Sequence, residues 1–577
     1  MSELKALTQS QEYVSLLGAG VNLGNTFDAF DRVNHSEIDD ETAWGEPKVT
    51  QAYMNALKNH GFKSIRIPFT AFTRTGPAPD YTINETFFQR YQDVVDYALN
   101  AGLYVMVNLH HDSSEWLIDW DGNTSSEEYT RFQTLWTQMA NRFLTYDNHV
   151  MFESINEPGF NVADDNADEQ NNMLSLINRA FYDIVRGTGG NNTTRMLVLP
   201  NVWTSDLPEY STFSSEFILG LNDENVIATV HWYASRDTYA YTANMGVAYF
   251  DEEYKNVSAR ESTAVVFENL NNAFISNGIG VIIGEYGLFN QGIPGGLNDG
   301  EVYKYIEYVN ARYIELGICP MIWDVGLILD RHTGEWVNQT WGDIITASMQ
   351  GRSSYATGLD HVFVSDSTIS NDIPIPLTLN GNTLTAVYNG GILLQEGTDY
   401  TYADETLTLS GSYISQLIHG DYGTKAELHF VFSAGSIWRQ YVNYIGTPSM
   451  DALTTQVRED DGYLSSYDTD GTASYPAFII PVHYSGRLIR RIGSLNEQGV
   501  PTSSSSWASD YMQFGWEFKP FVNAAAYGQD ILALMSGYNN AIPDGSYTLV
   551  VEFFDGDVIR YGFTRTGDNF TGSEITQ

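Results

Sequence analysis

Two glutamates carry the chemistry. Glu157 closes the stretch VMFESINEP (150–158), and Glu285 closes IGVIIGEYG (279–287). Each follows an apolar run, where an ionisable group is costly to desolvate without a partner. Two opposed carboxylates are what hydrolysis of a glycosidic bond requires. One is protonated and donates to the leaving oxygen; the other is ionised and attacks, or activates water, on the opposite face of the sugar. Their surroundings should push the two pKa values apart. The ends of other apolar runs carry Arg66, His110, His111, Asn156, His231, Tyr233 and Trp323. Arg66 and Asn156 offer donors to an ionised carboxylate and a sugar hydroxyl. Tyr233 offers a phenol to a nucleophile, and Trp323 a flat face for a sugar ring.

Other chemistries fit these residues less well. Adjacent histidines on a strand point to opposite faces and no HExxH is present, which argues against zinc at His110-His111. There is no G-x-S-x-G elbow for a serine hydrolase. Cys319 is the single cysteine, so no intrachain disulfide forms. It lies in an apolar run without cationic neighbours in sequence and reads as inert core. No metal and no organic cofactor is expected.

The positioning elements are eight short apolar runs: AGVNLGN (19–25), KSIRIPF (63–69), LYVMVNLHH (103–111), VMFESINEP (150–158), RMLVLPN (195–201), NVIATVHWY (225–233), IGVIIGEYG (279–287) and CPMIWDVG (319–326). Helical patterns separate them. In residues 84–102, Phe87, Tyr91, Val94, Val95 and Ala98 fall on one helical face. Gly61, Gly102, Gly278 and Gly317 each precede a run and suit the left-handed cap that ends a helix. Eight strand–helix alternations with strands apolar on both faces predict an α/β fold, a (β/α)8 TIM barrel. In that fold the C-terminal strand ends build the active site. A doubly wound sheet would place a Gly-rich phosphate loop after its first strand, and GAGVNLGN does not carry its glycines that way.

After about residue 352 the helical period fades. Short alternating runs broken by Asn-Gly and Gly-Gly turns predict a small β-sandwich, with AELHFVFSAG (426–435) as its last strand. A second β-rich stretch begins near 445. The expected division is therefore 1–352 catalytic barrel, 353–440 Ig-like β-sandwich and 441–577 a second β-sandwich. The segment SSSSW ending at Trp507 reads as an exposed loop carrying an aromatic.

Net charge is −43, which repels phosphate backbones and anionic membranes and is compatible with a neutral polymer. No run of about 18 apolar residues spans a membrane. The start MSELKALTQSQEYV lacks a basic-then-apolar leader. The expectation is a secreted monomer whose signal peptide has been removed, with no nucleic-acid or membrane partner.

The phrases NLGNTFDA, AWGEP, IRIPF, NLHHD, FESINEP, HWY, GEYG and IWD occur in order along these runs. Residues 18–350 thereby resemble glycoside hydrolase family 5, in its bacterial cellulase and xyloglucanase branch. The resemblance implies a retaining endo-β-1,4-glucanase, with Glu157 as acid/base and Glu285 as nucleophile. It implies supporting roles for Arg66, His110, Asn156, His231 and Tyr233, and sugar contacts from Asn25, Asp28, His111 and Trp323. Trp44 in AWGEP is a further candidate platform. A β-mannanase on the same scaffold and a non-catalytic carbohydrate-binding protein are the alternatives. LTLNGNTL, LQEGTDY and FSAG resemble the Ig-like module of bacterial cellulases. Residues from about 445 resemble a family 46 carbohydrate-binding module, with Trp507, Tyr511 and Trp516 as candidate sugar-facing aromatics. The implied substrate is a β-glucan polysaccharide.

Overall fold

The computed structural model describes residues 6–31, 40–163, 166–233, 250–251, 253–254, 257–287, 299–457, 459–460, 476–502, 521–523, 531–534, 542–567 and 569–575. The chain divides into two compact units.

The first unit holds a closed parallel barrel of eight strands: β1 (Gly20–Asn22), β2 (Ser64–Ile67), β3 (Tyr104–Asn108), β4 (Val150–Glu153), β5 (Leu197–Pro200), β6 (Val226–Trp232), β7 (Gly280–Tyr286) and β8 (Cys319–Ile322). Each of the eight apolar runs supplies one. β1 closes the ring by pairing with both β2 and β8, Gly20 lying opposite Ser64 on one side and Met321 on the other. The strands are buried almost throughout, as parallel strands flanked by helices on one side and a filled interior on the other must be.

The connecting helices start where the sequence supplies a cap. Thr8, Thr50, Asn84, Ser126 and Asn166 each accept a backbone N–H of the first turn, satisfying a donor that the helix itself leaves unpaired. Four glycines between a helical segment and the next strand, Gly61, Gly102, Gly278 and Gly317, have φ of 103°, 77°, 82° and 67°, the left-handed conformation that their position predicts. The opening helix Gln9–Leu17 packs Tyr13, Val14 and Leu17 into one cluster with Met106, Met151, Met196, Val198, Ile227, Ile282, Cys319 and Met321. This cluster plugs the barrel interior. Cys319 is buried there as an inert thiol, its pKa pushed up to about 12 by burial.

The second unit is dominated by β-structure. One pair of sheets has the orders Tyr355–Ala356, Ile373–Thr378, Thr406–Leu409, Tyr400–Ala403 and His361–Val364, Trp438–Tyr444, Gly423–Phe432, Leu384–Asn389, Ile392–Leu393. Burial alternates along Gly423–Phe432, the period-two signature of a half-buried strand. The strand expected to be last in this module is followed by another, Trp438–Tyr444, antiparallel to it. A further pair of sheets encloses a core that includes Ile480, Val482, Ile492, Leu549, Val551, Tyr561 and Phe570. The architecture is a TIM barrel followed by two β-sandwich modules. Among the described residues no helix is long and apolar enough to cross a membrane.

Candidate active site

Arg66 is the hub. It sits on β2, level with Asn22 of β1, and is fully buried. Its Nε donates to Glu153 Oε2 at 2.8 Å, and Nη1 donates to Glu285 Oε1 at 2.6 Å and to Asn22 Oδ1 at 3.1 Å. Nη2 donates to Asn156 Oδ1 at 2.7 Å. Burial works to lower the guanidinium pKa, but the charges of Glu153 and Glu285 outweigh it and raise it. A buried cation is tolerated only with such partners, and the planar fork of arginine reaches all of them at once.

Glu285 on β7 has both oxygens engaged. Oε1 accepts from Arg66, and Oε2 accepts from the Tyr233 hydroxyl at 2.6 Å. Its side chain is 7% exposed. Glu157, two residues past the Ile155 that ends the apolar run, is 43% exposed. Its Oε1 lies 2.8 Å from His231 Nδ1, and the same nitrogen lies 3.6 Å from Glu285 Oε2. One oxygen of Glu157 and one of Glu285 stand within 4.8 Å of each other. β7 approaches β6 closely here because Gly284 has no side chain. A Cβ on Gly284 would meet His231 Nε2 and Thr229 Oγ1 at 2.8 Å each.

The electrostatics follow from this layout. Partial desolvation works to raise the Glu157 pKa, while the hydrogen bond and charge of His231 lower it further, with help from Arg66 and His111. The net is a carboxyl below its ordinary 4.5. Burial works to lower His231, but Glu285 and Glu157 together lift it above its ordinary 6.5. Glu157 and His231 therefore hold the acid/base proton jointly across their 2.8 Å contact. His110 is held well below 6.5, first by burial and then by the charges of His111, Arg66 and His231. Its neutral ring stacks on Trp323 with centroids 5.7 Å apart and planes within 7°.

The remaining barrel candidates gather beside this centre. Asp28 is buried and accepts from the backbone of Asn25 at 3.1 Å and Thr26 at 2.8 Å. Asn25 takes the left-handed conformation with φ 56°. His111 Nε2 is 3.7 Å from Asp28 Oδ2. Trp44 is half-buried, with its ring 5.4 Å from that of His111 and its Nε1 donating to the Phe30 carbonyl at 2.8 Å. The sequence argument that His110 and His111 diverge is corrected here. β3 ends at Asn108, and His111 has helical φ/ψ as the cap of a short helix. The two rings therefore meet at 4.6 Å rather than facing apart. Two groups bring ligating atoms within 4.8 Å: Asp28, His110 and His111, and Glu157, His231 and Glu285. A divalent cation held at the second would occupy both carboxylates. Trp507, Tyr511 and Trp516 lie outside the described residues.

Sequence reasoning passed over Glu153, Asn22, Asn108 and Trp203. Glu153 is fully buried and accepts from Arg66 and from Asn108 Nδ2 at 2.8 Å. Its signal was present: a carboxylate inside the apolar run VMFES, level with Asn108 across the strand pair. β5 was the run with no polar residue singled out; the turn after it carries Trp203.

Residues 24–327 match the family described as cellulase, glycosyl hydrolase family 5. The chain belongs to that family. It is an endoglucanase of glycoside hydrolase family 5. Residues 359–442 match carbohydrate binding domain X2, and residues 463–573 match a second carbohydrate binding domain, of family 46. The chain is 33% identical to endoglucanase B of Paenibacillus lautus over 98% of its own length and 93% of that protein's. The full length tri-modular endo-β-1,4-glucanase B of Bacillus halodurans has a solved structure that superposes with a TM-score of 0.86. It is 31% identical and covers 99% of this chain and 100% of its own. A xyloglucan-specific endo-β-1,4-glucanase of Bacteroides ovatus is 30% identical over 56% of this chain and 67% of its own length. A polysaccharide is thus the substrate class of this endoglucanase.

Proposed function

We propose that the enzyme cleaves β-1,4-linked glucan backbones, including xyloglucan, internally and with retention of anomeric configuration, using Glu285 as nucleophile and Glu157 as acid/base. The observation that carries this reading is the approach of the two carboxylates to within 4.8 Å, oxygen to oxygen, across the barrel mouth. Retaining enzymes hold the pair about 5–5.5 Å apart, and inverting ones about 6.5–9.5 Å, to admit a water.

In the first step Glu285 attacks the anomeric carbon, the glycosidic C–O bond breaks, and the leaving oxygen takes a proton from Glu157. Arg66 and Tyr233 hold the two oxygens of Glu285 so that one lone pair is aimed rather than free to rotate. As the covalent bond forms, Glu285 loses its charge, and its pull on the His231 proton weakens. In the second step Glu157 accepts a proton from water, which attacks the same carbon and frees Glu285. Trp323, Trp44, His111 and Asn25 line the adjoining surface and offer ring faces and hydrogen-bond groups to further sugars, while the buried Asp28 holds the Asn25 turn from beneath. The two carbohydrate-binding modules extend contact to the polymer. The enzyme acts as a secreted monomer.

Proton NMR of early hydrolysis products tests the stereochemistry: the β-anomer should appear first and mutarotate later. Appearance of the α-anomer first would replace retention by inversion. Glu285→Ala and Glu157→Ala should each lower turnover on polymer by orders of magnitude, about 10³-fold or more for the nucleophile. Comparing kcat/KM on carboxymethylcellulose, xyloglucan, barley glucan and mannan fixes the substrate. Dominance of mannan would move the enzyme to the mannanases.

A further inference from the structure

Two consecutive residues after β5, Trp203 (φ 57°, ψ 17°) and Thr204 (φ 45°), hold left-handed backbone without being glycine. That conformation is unfavourable for any residue with a side chain and persists only where neighbours impose it. The neighbours are the segment around Glu157, which is itself left-handed with φ 40°. The Trp203 N–H donates to the Pro158 carbonyl at 2.7 Å. Its indole lies so close over Gly159 that a Cβ there would stand 1.9 Å from a ring carbon. The ends of this segment are pinned separately. The Asn156 N–H donates to the Leu109 carbonyl at 2.9 Å. Gln170 accepts from the Phe160 N–H at 3.0 Å and donates to the Phe160 carbonyl at 2.8 Å. Between those pins stand Glu157, Pro158 and Gly159, and Trp203 grips the last two.

We infer that Trp203 is a positioning residue for Glu157: its strained turn and its ring over Gly159 fix where the acid/base carboxyl meets the leaving oxygen. The inference rests on the acid/base role of Glu157. A ring that served only as a sugar platform would need neither the left-handed backbone nor a glycine beneath it. Positioned acid catalysis contributes about 10²–10⁴-fold, and a displacement of about 1 Å forfeits about 10²-fold.

The test compares two substrates by kcat/KM, which reports the first step. With cellopentaose the leaving sugar hydroxyl must take the proton of Glu157 as the C–O bond breaks. With 2,4-dinitrophenyl β-cellobioside the leaving group departs as a phenolate and takes none. Trp203→Gly relaxes the left-handed backbone, so its fold is not penalised at that turn, and melting curves check this. Trp203→Gly should lower kcat/KM on cellopentaose about 10²-fold and leave the aryl cellobioside within a few-fold. Trp203→Phe, which keeps a smaller ring over Gly159, should recover part of the loss. Gly159→Ala should produce the same split, and its loss should not add to that of Trp203→Gly in the double variant, because both act on one contact. Azide, which needs no general base, should raise kcat of Trp203→Gly on the aryl substrate, where the second step limits.

Equal losses on both substrates, or no loss on cellopentaose, would overturn the positioning role. Glu157→Ala is the reference. If it does not spare the aryl substrate, the role of Glu157 falls. If it does and the Trp203 variants do not, only the positioning of Glu157 by Trp203 falls.

Discussion

His231 faces both glutamates through one nitrogen, 2.8 Å from Glu157 and 3.6 Å from Glu285. The proton shared by His231 and Glu157 titrates as a property of that pair rather than of one residue. Because the His231 pKa is raised above 6.5, the alkaline limb of kcat/KM should lie above 6.5. In His231→Gln the limb should fall toward the carboxyl range, since Glu157 alone then holds the proton; an unmoved limb would contradict the shared-proton account. The stability signs differ for the two partners. The raised His231 stabilises fully below its unfolded value near 6.5, and this is lost as pH rises through the raised folded value. The lowered Glu157 stabilises above its ordinary 4.5, and this is lost as pH falls through the lowered value. Arg66 gives a sharper case. Arg66→Lys cannot reproduce four donor contacts from one ammonium. It should cost about 1–3 kcal/mol of stability, measured by urea denaturation, because some of the buried acceptors that Arg66 serves are left without a donor. Activity should fall with it, as Glu285 loses the donor on Oε1.

At the scale of elements, the barrel needs its interior filled before the mouth can be shaped. The opening helix Gln9–Leu17 does this with Tyr13, Val14 and Leu17 against the methionine-rich strand interior. Leu17→Ala should destabilise by about 2–5 kcal/mol in thermal or urea unfolding. Its kcat on xyloglucan, measured well below the lowered melting temperature, should stay near that of the parent, since the cluster does not contact the glutamates. A large loss of kcat with an intact fold would mean that plug and mouth are mechanically coupled. The close crossing of β6 and β7 imposes a different constraint. Gly284→Ala should lower kcat more than its stability cost explains, because the added methyl displaces His231 itself.

For the whole molecule the dominant quantity is the net charge of −43. Self-repulsion of this size opposes compactness. Raising salt from about 0.01 M to about 1 M shortens the screening length from about 30 Å to about 3 Å. The melting temperature should therefore rise over that range in sodium chloride; a fall would show that exposed ion pairs such as Arg179 with Asp183 dominate over global repulsion. The terminal modules act at the same scale. Removing residues 445–577, which spares the strand Trp438–Tyr444, should weaken kcat/KM on xyloglucan polymer more than on short oligosaccharides, with circular dichroism used to verify that the remainder is folded. Equal losses on both would deny the last module a polymer-binding role.

Strand existence was legible because eight apolar runs, four of them entered through a cap glycine, leave a parallel barrel as the economical burial scheme. The carboxylates were legible because an ionisable group at the end of such a run has no structural excuse. What the chain order could not reveal is who meets whom. Glu153 looked like one more residue of a strand, yet it balances Arg66 from 87 positions away. His110 and His111 were read as divergent because strand alternation was extended past Asn108, where the backbone turns helical. The direction of the Glu157 pKa depended on a histidine 74 residues distant. Periodicity determined the barrel and its mouth, and the residue types at the strand ends pointed to the class of reaction, since these depend on local pattern and on which groups resist burial. Distances, shared protons and the grip of Trp203 on Gly159 came only with the tertiary structure, because they depend on through-space contacts that no local pattern encodes.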